Sequence, residues 1–224
     1  NKELEALVDR ETDIVEALNA IAADDHTNND LFLQYQPIMD LKTGLICSFE
    51  ALARLRTKKL GLVSPLEFIP IAEKTKLIIP IGDKVFIKAF RFLNRLKKCG
   101  YNEIGVSINV SVIQLLSPDF TSRLFKLISD MQVNPNNICI EITESVFASD
   151  YDNINSIIEK LRDAGLHIAI DDFGTGYSSL ARERELKVNC MKIDKYFIDK
   201  LLYTDLNKAI IGDIISIAHK LGHY

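Results

Sequence analysis

Apolar and polar residues repeat along this chain with two different periods, which predicts a mixture of helices and strands. Residues 2–22 place apolar side chains at helical spacing among charged ones, so we expect an amphipathic helix there. The polar run at residues 24–30 then ends it. Such a helix fits a connector leading from an upstream domain and equally a helix packed on its own domain. We assign residues 1–28 to a helical connector and 29–224 to one domain.

Beyond Leu31, short strand-like runs alternate with longer helical runs. Strands are predicted over residues 31–40, 45–54, 104–111, 138–143, 167–172 and 188–193, and helices over 66–75, 82–98, 119–131, 151–164, 177–185 and 206–221. Only residues 41–44 separate the first two strands, so these form an antiparallel hairpin, whereas the intervening helices make the later strands parallel. The fold class is therefore α/β, either a barrel that opens with one reversed strand or a doubly wound sheet.

Composition narrows the classes of function. The 224 residues are 47% hydrophobic and 26% charged, which excludes a disordered chain. The chain has 27 basic and 31 acidic residues, and the resulting net charge of −4 does not favour binding of a nucleic-acid polymer. The apolar runs are too short to cross a bilayer, so we expect a soluble, cytoplasmic protein without membrane insertion. The four cysteines stand singly and lack zinc-site or disulfide spacing, so we expect buried thiols.

Polar side chains recur near the C-terminal ends of five predicted strands. Each strand has one aliphatic or small-residue face, and the opposite face carries Glu50, Asn109, Glu141, Asp171 or Lys192. Strict alternation places Asp172 on the opposite face from Asp171. Active sites of parallel α/β proteins lie at the C-terminal ends of strands, so we expect these groups to converge on one mouth. Any one of them alone would ordinarily be a cap or a surface charge.

This set of side chains favours a hard metal ion. Carboxylates gathered in a cleft repel one another unless protons or cations intervene. Oxygen ligands with one amide and no histidine or thiolate select Mg²⁺ or Mn²⁺ over zinc. The adjacent Asp171 and Asp172 could serve two ions, one activating water and the other stabilising the leaving oxygen of a phosphodiester. Lys192 would orient the nucleophilic water or offset charge in the transition state.

Six short motifs together resemble the EAL domain family, the bacterial cyclic di-GMP phosphodiesterases. They occur in the family's order over residues 31–194. They are Tyr35-Gln36-Pro37-Ile38, Glu50-Ala51-Leu52 followed by Arg54, Asn109-Val110-Ser111, Glu141-Ile142-Thr143-Glu144, the run from Asp171-Asp172-Phe173 to Ser179, and Met191-Lys192-Ile193-Asp194. One such triplet would mean little, but all six in order are highly specific.

The resemblance implies a TIM-like (β/α) barrel whose first strand is antiparallel, and hydrolysis of cyclic di-GMP to linear pGpG with two Mg²⁺ or Mn²⁺ ions. The matching positions imply metal ligands at Glu50, Asn109, Glu141, Asp171 and Asp172, a catalytic role for Lys192, Glu50 and Asp172, substrate contacts at Gln36, Leu52 and Arg54, and a residue, Glu144, that secures the loop from Asp171 to Ser179. That loop lies near the dimer interface in the family, so we expect a homodimer. An upstream sensory or GGDEF-type domain is also expected.

The chain departs from the family at its C-terminal end. Family members continue into a strand with an Ala-Glu-Gly-Val-Glu motif and then an eighth strand, whereas only six strands are predicted here, so the barrel is expected to be truncated after the sixth strand and the helix that follows it. We expect little turnover from the truncated chain itself. Two alternatives remain open: an inactive EAL domain that serves as a cyclic di-GMP receptor and signals through the N-terminal helix, and an unrelated metal-dependent barrel enzyme such as an enolase-like one.

Overall fold

The computed structural model describes residues 2–25, 28–144, 146, 150–173, 187–200, 205–220 and 222–223. The strands are β1 (Asn29–Met39), β2 (Ile46–Thr57), β3 (Gly61–Val63), β4 (Gly105–Asn109), β5 (Ile138–Thr143), β6 (His167–Phe173) and β7 (Cys190–Ile193). The helices are α1 (Lys2–Ala22), α2 (Pro65–Lys74), α3 (Ile78–Lys98), α4 (Val112–Leu115), α5 (Phe120–Met131), α6 (Tyr151–Asp163), α7 (Lys195–Lys200) and α8 (Asp205–Lys220). The chain divides into an N-terminal unit, Asn1–Val133, and a C-terminal unit, Asn134–Tyr224.

The strands of the N-terminal unit are organised around β2. This strand pairs antiparallel with β1 and β3 and parallel with β4. The hairpin between β1 and β2 turns at Asp40, whose Oδ1 accepts hydrogen bonds from the backbone N–H groups of Lys42 and Thr43 at 3.0 and 2.7 Å. Gly44 completes the turn at φ +70°, a conformation that favours glycine. The register places Gln36 opposite Glu50.

Helices α1, α2, α3 and α5 supply most of the apolar core of the N-terminal unit. The buried face of α3 includes Phe86, Ala89, Phe90 and Leu93, which recur at helical spacing. The second half of α1 buries Ile14, Ala17, Leu18 and Ile21, and α1 contacts α2, α3 and β1. Ion pairs from Arg10 to Glu67 and from Glu11 to Lys74 also join α1 to α2. The predicted helix at residues 2–22 is therefore present and packs within the N-terminal unit.

The described part of the C-terminal unit contains three parallel strands and a connecting helix. Strand β6 pairs with β5 on one side and β7 on the other. Ile140 and Ile142 of β5 and Ile168 and Ile170 of β6 are at most 1% exposed. Helix α6 buries Ile154, Ile158 and Leu161, which lie on one face at helical spacing. Polar side chains therefore remain for the other face of these strands.

The predicted α/β class with an antiparallel opening hairpin is confirmed. Strand β5 has the predicted bounds, and most other described elements differ from prediction by one to four residues at either end. Four described elements were not predicted: β3, α4, α7 and a 3₁₀ helix, Pro135–Asn137. Strand β4 ends earlier than predicted because the Ser111 side chain accepts from Gln114 N–H and caps α4. The helix predicted at 177–185 lies outside the described residues. The expectation of buried thiols is wrong, because Cys47 and Cys99 are exposed and Cys139 and Cys190 are only half-buried.

Candidate functional site

Glu50 and Asn109 lie together on one face of the N-terminal unit's sheet. Glu50 neighbours Ser107 in the parallel pairing of β2 with β4, and Asn109 is two residues further along, so both side chains share a face. The Asn109 Nδ2 group donates a hydrogen bond to Glu50 Oε1 over 3.0 Å. Because the amide uses its nitrogen in this bond, its Oδ1 is oriented as a separate oxygen donor. The pair thus offers carboxylate and amide oxygens side by side.

The three predicted substrate contacts lie on the same face as Glu50. Gln36 faces Glu50 directly across the β1–β2 pairing, and Leu52 and Arg54 follow Glu50 at intervals of two residues. The register also places Gln34, which the sequence analysis did not select, opposite Leu52 on this face. The side-chain alternation of β1 could have identified Gln34, since it lies two residues from Gln36.

Gln34 binds Arg54 directly. The Arg54 Nε–H donates to Gln34 Oε1 over 2.8 Å, and Arg54 Nη1 donates to the Ala53 carbonyl over 2.9 Å. The guanidinium is therefore held at two of its nitrogens by neighbouring groups of β1 and β2. An arginine fixed in this way can present its remaining N–H groups to an anion such as a phosphate.

In the C-terminal unit, Lys192 joins two of the predicted carboxylates. Its Nζ lies 2.7 Å from Glu141 Oε2 and 3.0 Å from Asp171 Oδ1. The Glu141 side chain is 1% exposed, that of Asp171 is 18% exposed and that of Lys192 is 26% exposed. A carboxylate buried this deeply requires a positive partner, and the Lys192 ammonium supplies one. Strands β5, β6 and β7 thus bring Glu141, Asp171 and Lys192 into one cluster.

Asp172 departs from the regular alternation of strand β6. Ile170 pairs with Met191 and Phe173 with Ile193, so Asp171 and Asp172 together face the single residue Lys192. This is a β-bulge, and Asp172 adopts a left-handed φ of +56° within it. The strict alternation used for the prediction therefore does not hold at Asp171 and Asp172, because β6 carries an extra residue there.

Electrostatics also link Asp172 to its neighbour in the bulge. Burial raises the pKa of the Asp172 carboxyl, and the negative charges of Asp171 and Asp194 raise it further. Lys192 acts in the opposite direction. This is the expected behaviour of carboxylates that crowd one place, where each disfavours the ionised form of the others. A divalent cation at such a cluster would favour the ionised forms.

A cysteine of β7 lies on the same face as the cluster. The register aligns Cys190 with Ala169 and Ala169 with Glu141. Burial, followed by the Glu141 charge, raises the pKa of the Cys190 thiol to about 11. A neutral thiol is a poor metal ligand, because soft metals bind the thiolate. The described ligand set therefore stays one of oxygen donors, which suits Mg²⁺ or Mn²⁺ better than zinc.

Glu144 is 8% exposed and directly follows β5. Its predicted role is to secure the loop from Asp171 to Ser179. Positions 174–179 of that loop lie outside the described residues, so this role stays a prediction.

Sequence comparison identifies the class of protein. The family model described as "EAL domain" matches residues 18–223, and the chain belongs to this family. The expectation drawn from the six motifs is thereby confirmed.

Particular relatives are named as phosphodiesterases. The cyclic di-GMP phosphodiesterase PA2567 of Pseudomonas aeruginosa is 34% identical over 197 residues, which are 88% of this chain and 33% of that protein. The probable cyclic di-GMP phosphodiesterase PdeB of Escherichia coli K12 is 38% identical over 184 residues, which are 82% of this chain and 35% of that protein. The chain thus spans about a third of the length of each of these two relatives.

Structural comparison gives the same class. The PaMucR phosphodiesterase in complex with c-di-GMP superimposes with a TM-score of 0.85 at 31% identity, covering 94% of this chain and 84% of that one. This likeness supports the α/β fold class expected from the sequence. Among the described residues, no helix combines the length and apolar character that a membrane crossing demands.

Proposed function

We propose that the chain is the phosphodiesterase portion of a protein that hydrolyses cyclic di-GMP to linear pGpG with two divalent ions. The main support is that the six family motifs of this chain retain the residues that the resemblance assigns to metal ligands and substrate contacts. In addition, the relatives of the chain include named cyclic di-GMP phosphodiesterases. The N-terminal unit carries a carboxylate, an amide and a guanidinium on one face, and the C-terminal unit carries three carboxylates and an ammonium.

The proposed ligands are all oxygen donors. Glu50, Glu141 and Asp171 would each offer one carboxylate oxygen. Asn109 would add its amide oxygen, and Asp172 would bind the second ion. The fit rests on donor chemistry, because carboxylate and amide oxygens are the ligands that Mg²⁺ and Mn²⁺ prefer. When bound, such ions would lower the pKa of water and neutralise charge on the phosphodiester.

The remaining residues would position the substrate and the nucleophile. Arg54 would bind a non-bridging phosphate oxygen through its guanidinium, and Gln36 and Leu52 would contact the rest of the nucleotide from the same face. Lys192 already lies within 3.0 Å of two carboxylates. From there its ammonium would orient the attacking water and offset negative charge that develops during attack.

The direct test is product formation by the full-length protein. Cyclic di-GMP would be incubated with the protein and Mg²⁺, Mn²⁺ or EDTA, and the products would be separated by chromatography. We expect pGpG with either ion and none with EDTA, and we expect Glu141→Gln to lose most of the activity. Inertness with both ions would overturn the proposal. Binding of cyclic di-GMP without product would favour the receptor alternative, and calorimetry would detect it.

The expected partners are also proposals. The relative MucR of Pseudomonas aeruginosa is named as a bifunctional diguanylate cyclase/cyclic di-GMP phosphodiesterase, and this chain spans 28% of it. This supports an additional sensory or GGDEF-type domain upstream of the chain. We also propose that the protein forms a homodimer, which light scattering of the full-length protein would test.

A further inference from the structure

Gln34 stands out because it is bonded to a proposed phosphate contact without belonging to any motif of the family. It lies on β1 directly opposite Leu52, whereas Arg54 lies opposite Phe32. Gln34 and Arg54 are therefore diagonal neighbours across an antiparallel pair, a separation that two long side chains can bridge. Their hydrogen bond, Nε to Oε1, measures 2.8 Å.

This bond restricts the rotation of the long Arg54 side chain. An arginine has several rotatable bonds, and fixing them costs conformational entropy when a ligand binds. The second bond, from Nη1 to the Ala53 carbonyl, is 2.9 Å long. Together the two bonds fix both the position and the plane of the guanidinium. The guanidinium has five N–H groups, and these two contacts use one at Nε and one at Nη1.

We propose that Gln34 is a positioning residue that pre-orients Arg54 for the phosphate of the substrate. The inference rests on the proposed function and extends it to a residue that governs affinity. Gln34 suits this role because its amide oxygen is a neutral acceptor. A glutamate would hold Arg54 more strongly but would place a negative charge near the incoming phosphate. An aliphatic residue would leave Nε–H without this partner.

Pre-orientation predicts a specific kinetic signature. If Gln34 acts only through Arg54, its loss weakens binding of the ground state and the transition state alike, so KM rises while kcat changes little. For Gln34→Met, which keeps side-chain length but removes the acceptor, we expect KM for cyclic di-GMP to rise about 3- to 10-fold, within the range for one typical intramolecular hydrogen bond. We expect kcat to stay within about 2-fold.

A double-mutant cycle separates positioning from a merely structural effect. Arg54→Ala should raise KM more than Gln34→Met does, and the double variant should match Arg54→Ala, because Gln34 then has no guanidinium to orient. Urea unfolding of each variant shows whether the fold is preserved. If Gln34→Met raises KM by the same factor in both backgrounds, or leaves KM unchanged, the inference is overturned.

The failure of this inference can be distinguished from failure of the proposed function. If the parent protein hydrolyses cyclic di-GMP and Gln34→Met has the same KM as the unaltered protein, only the role of Gln34 is wrong. If the parent protein binds cyclic di-GMP without hydrolysis, the same cycle is measured on the dissociation constant by calorimetry, with the same expected factor. If it neither binds nor hydrolyses the dinucleotide, the proposed function fails and the role of Gln34 fails with it.

Discussion

The ion pair between Lys192 and the buried Glu141 makes a quantitative prediction about stability. Replacing Lys192 with Met keeps most of the aliphatic side chain but removes the charge that lies 2.7 Å from Glu141 Oε2 and 3.0 Å from Asp171 Oδ1. At an effective dielectric constant of about 20, the attraction across 2.7 Å is worth about 6 kcal/mol before desolvation. Desolvation of both charges cancels part of this, and Lys192 keeps 26% of its side chain exposed.

We therefore expect Lys192→Met to lower the free energy of unfolding by about 2 to 3 kcal/mol. The assay is urea unfolding in metal-free buffer, followed by circular dichroism. The matched control is Lys195→Met, since Lys195 pairs with Asp199 over 2.6 Å but the two side chains are 83% and 58% exposed. An exposed pair one turn apart on a helix contributes little, so this control should cost less than about 0.5 kcal/mol.

A second comparison isolates the buried charge as the cause. Adding Glu141→Gln to Lys192→Met removes the carboxylate that the single variant leaves without this ammonium. The double variant should therefore recover part of the lost stability. The reasoning is refuted if Lys192→Met costs no more than Lys195→Met, or if the second substitution deepens the loss instead of relieving it.

Three further predictions concern residues outside this pair. A Cβ at Gly82 would collide with the buried Gln114 amide that helps to cap α4, so Gly82→Ala should cost about 1 to 3 kcal/mol in urea unfolding. Burial raises the pKa of Tyr35 from 10.0 to about 12, so the stability that its neutral phenol contributes is present below pH 10 and falls as pH rises toward 12. In urea unfolding at increasing pH, Tyr35→Phe should therefore lose less stability between pH 10 and 12 than the unaltered protein, and an equal loss would contradict this. With a thiol pKa of about 11, Cys190 is about one-thousandth thiolate at pH 8, so mass spectrometry should find iodoacetamide on the exposed Cys47 long before Cys190; equal rates would contradict this.

Regular alternation explains why much of the site could be predicted. Glu50 and Asn109 share a face because they are separated by an even number of residues in the strand register. The same even spacing places Lys192 on the face that carries Glu141. The period of two carries this information in the sequence itself. The family motifs then supplied roles that spacing alone does not give.

The elements that sequence reasoning missed depend on pairing and capping. Strand β3 has three residues, too few to show a period, and it forms because β2 extends far enough to pair with it. Helix α4 has four residues and depends on the Ser111 cap. The bond from Arg54 to Gln34 follows from the register of β1 against β2, which the hairpin turn fixes and the residue types do not.

The bulge at Asp171 and Asp172 shows how a local irregularity can serve a site. The core residues of β6 are Ile168, Ile170 and Phe173. The spacing between buried residues is therefore two and then three, and the extra residue falls at the doubled aspartate. A regular strand would send two adjacent carboxylates to opposite faces, and only one could join a cluster on the Lys192 side. Aspartate tolerates the left-handed conformation better than most residues, which lowers the strain at Asp172. The broken period is visible in the sequence, and it indicates an extra residue in β6 at the doubled aspartate.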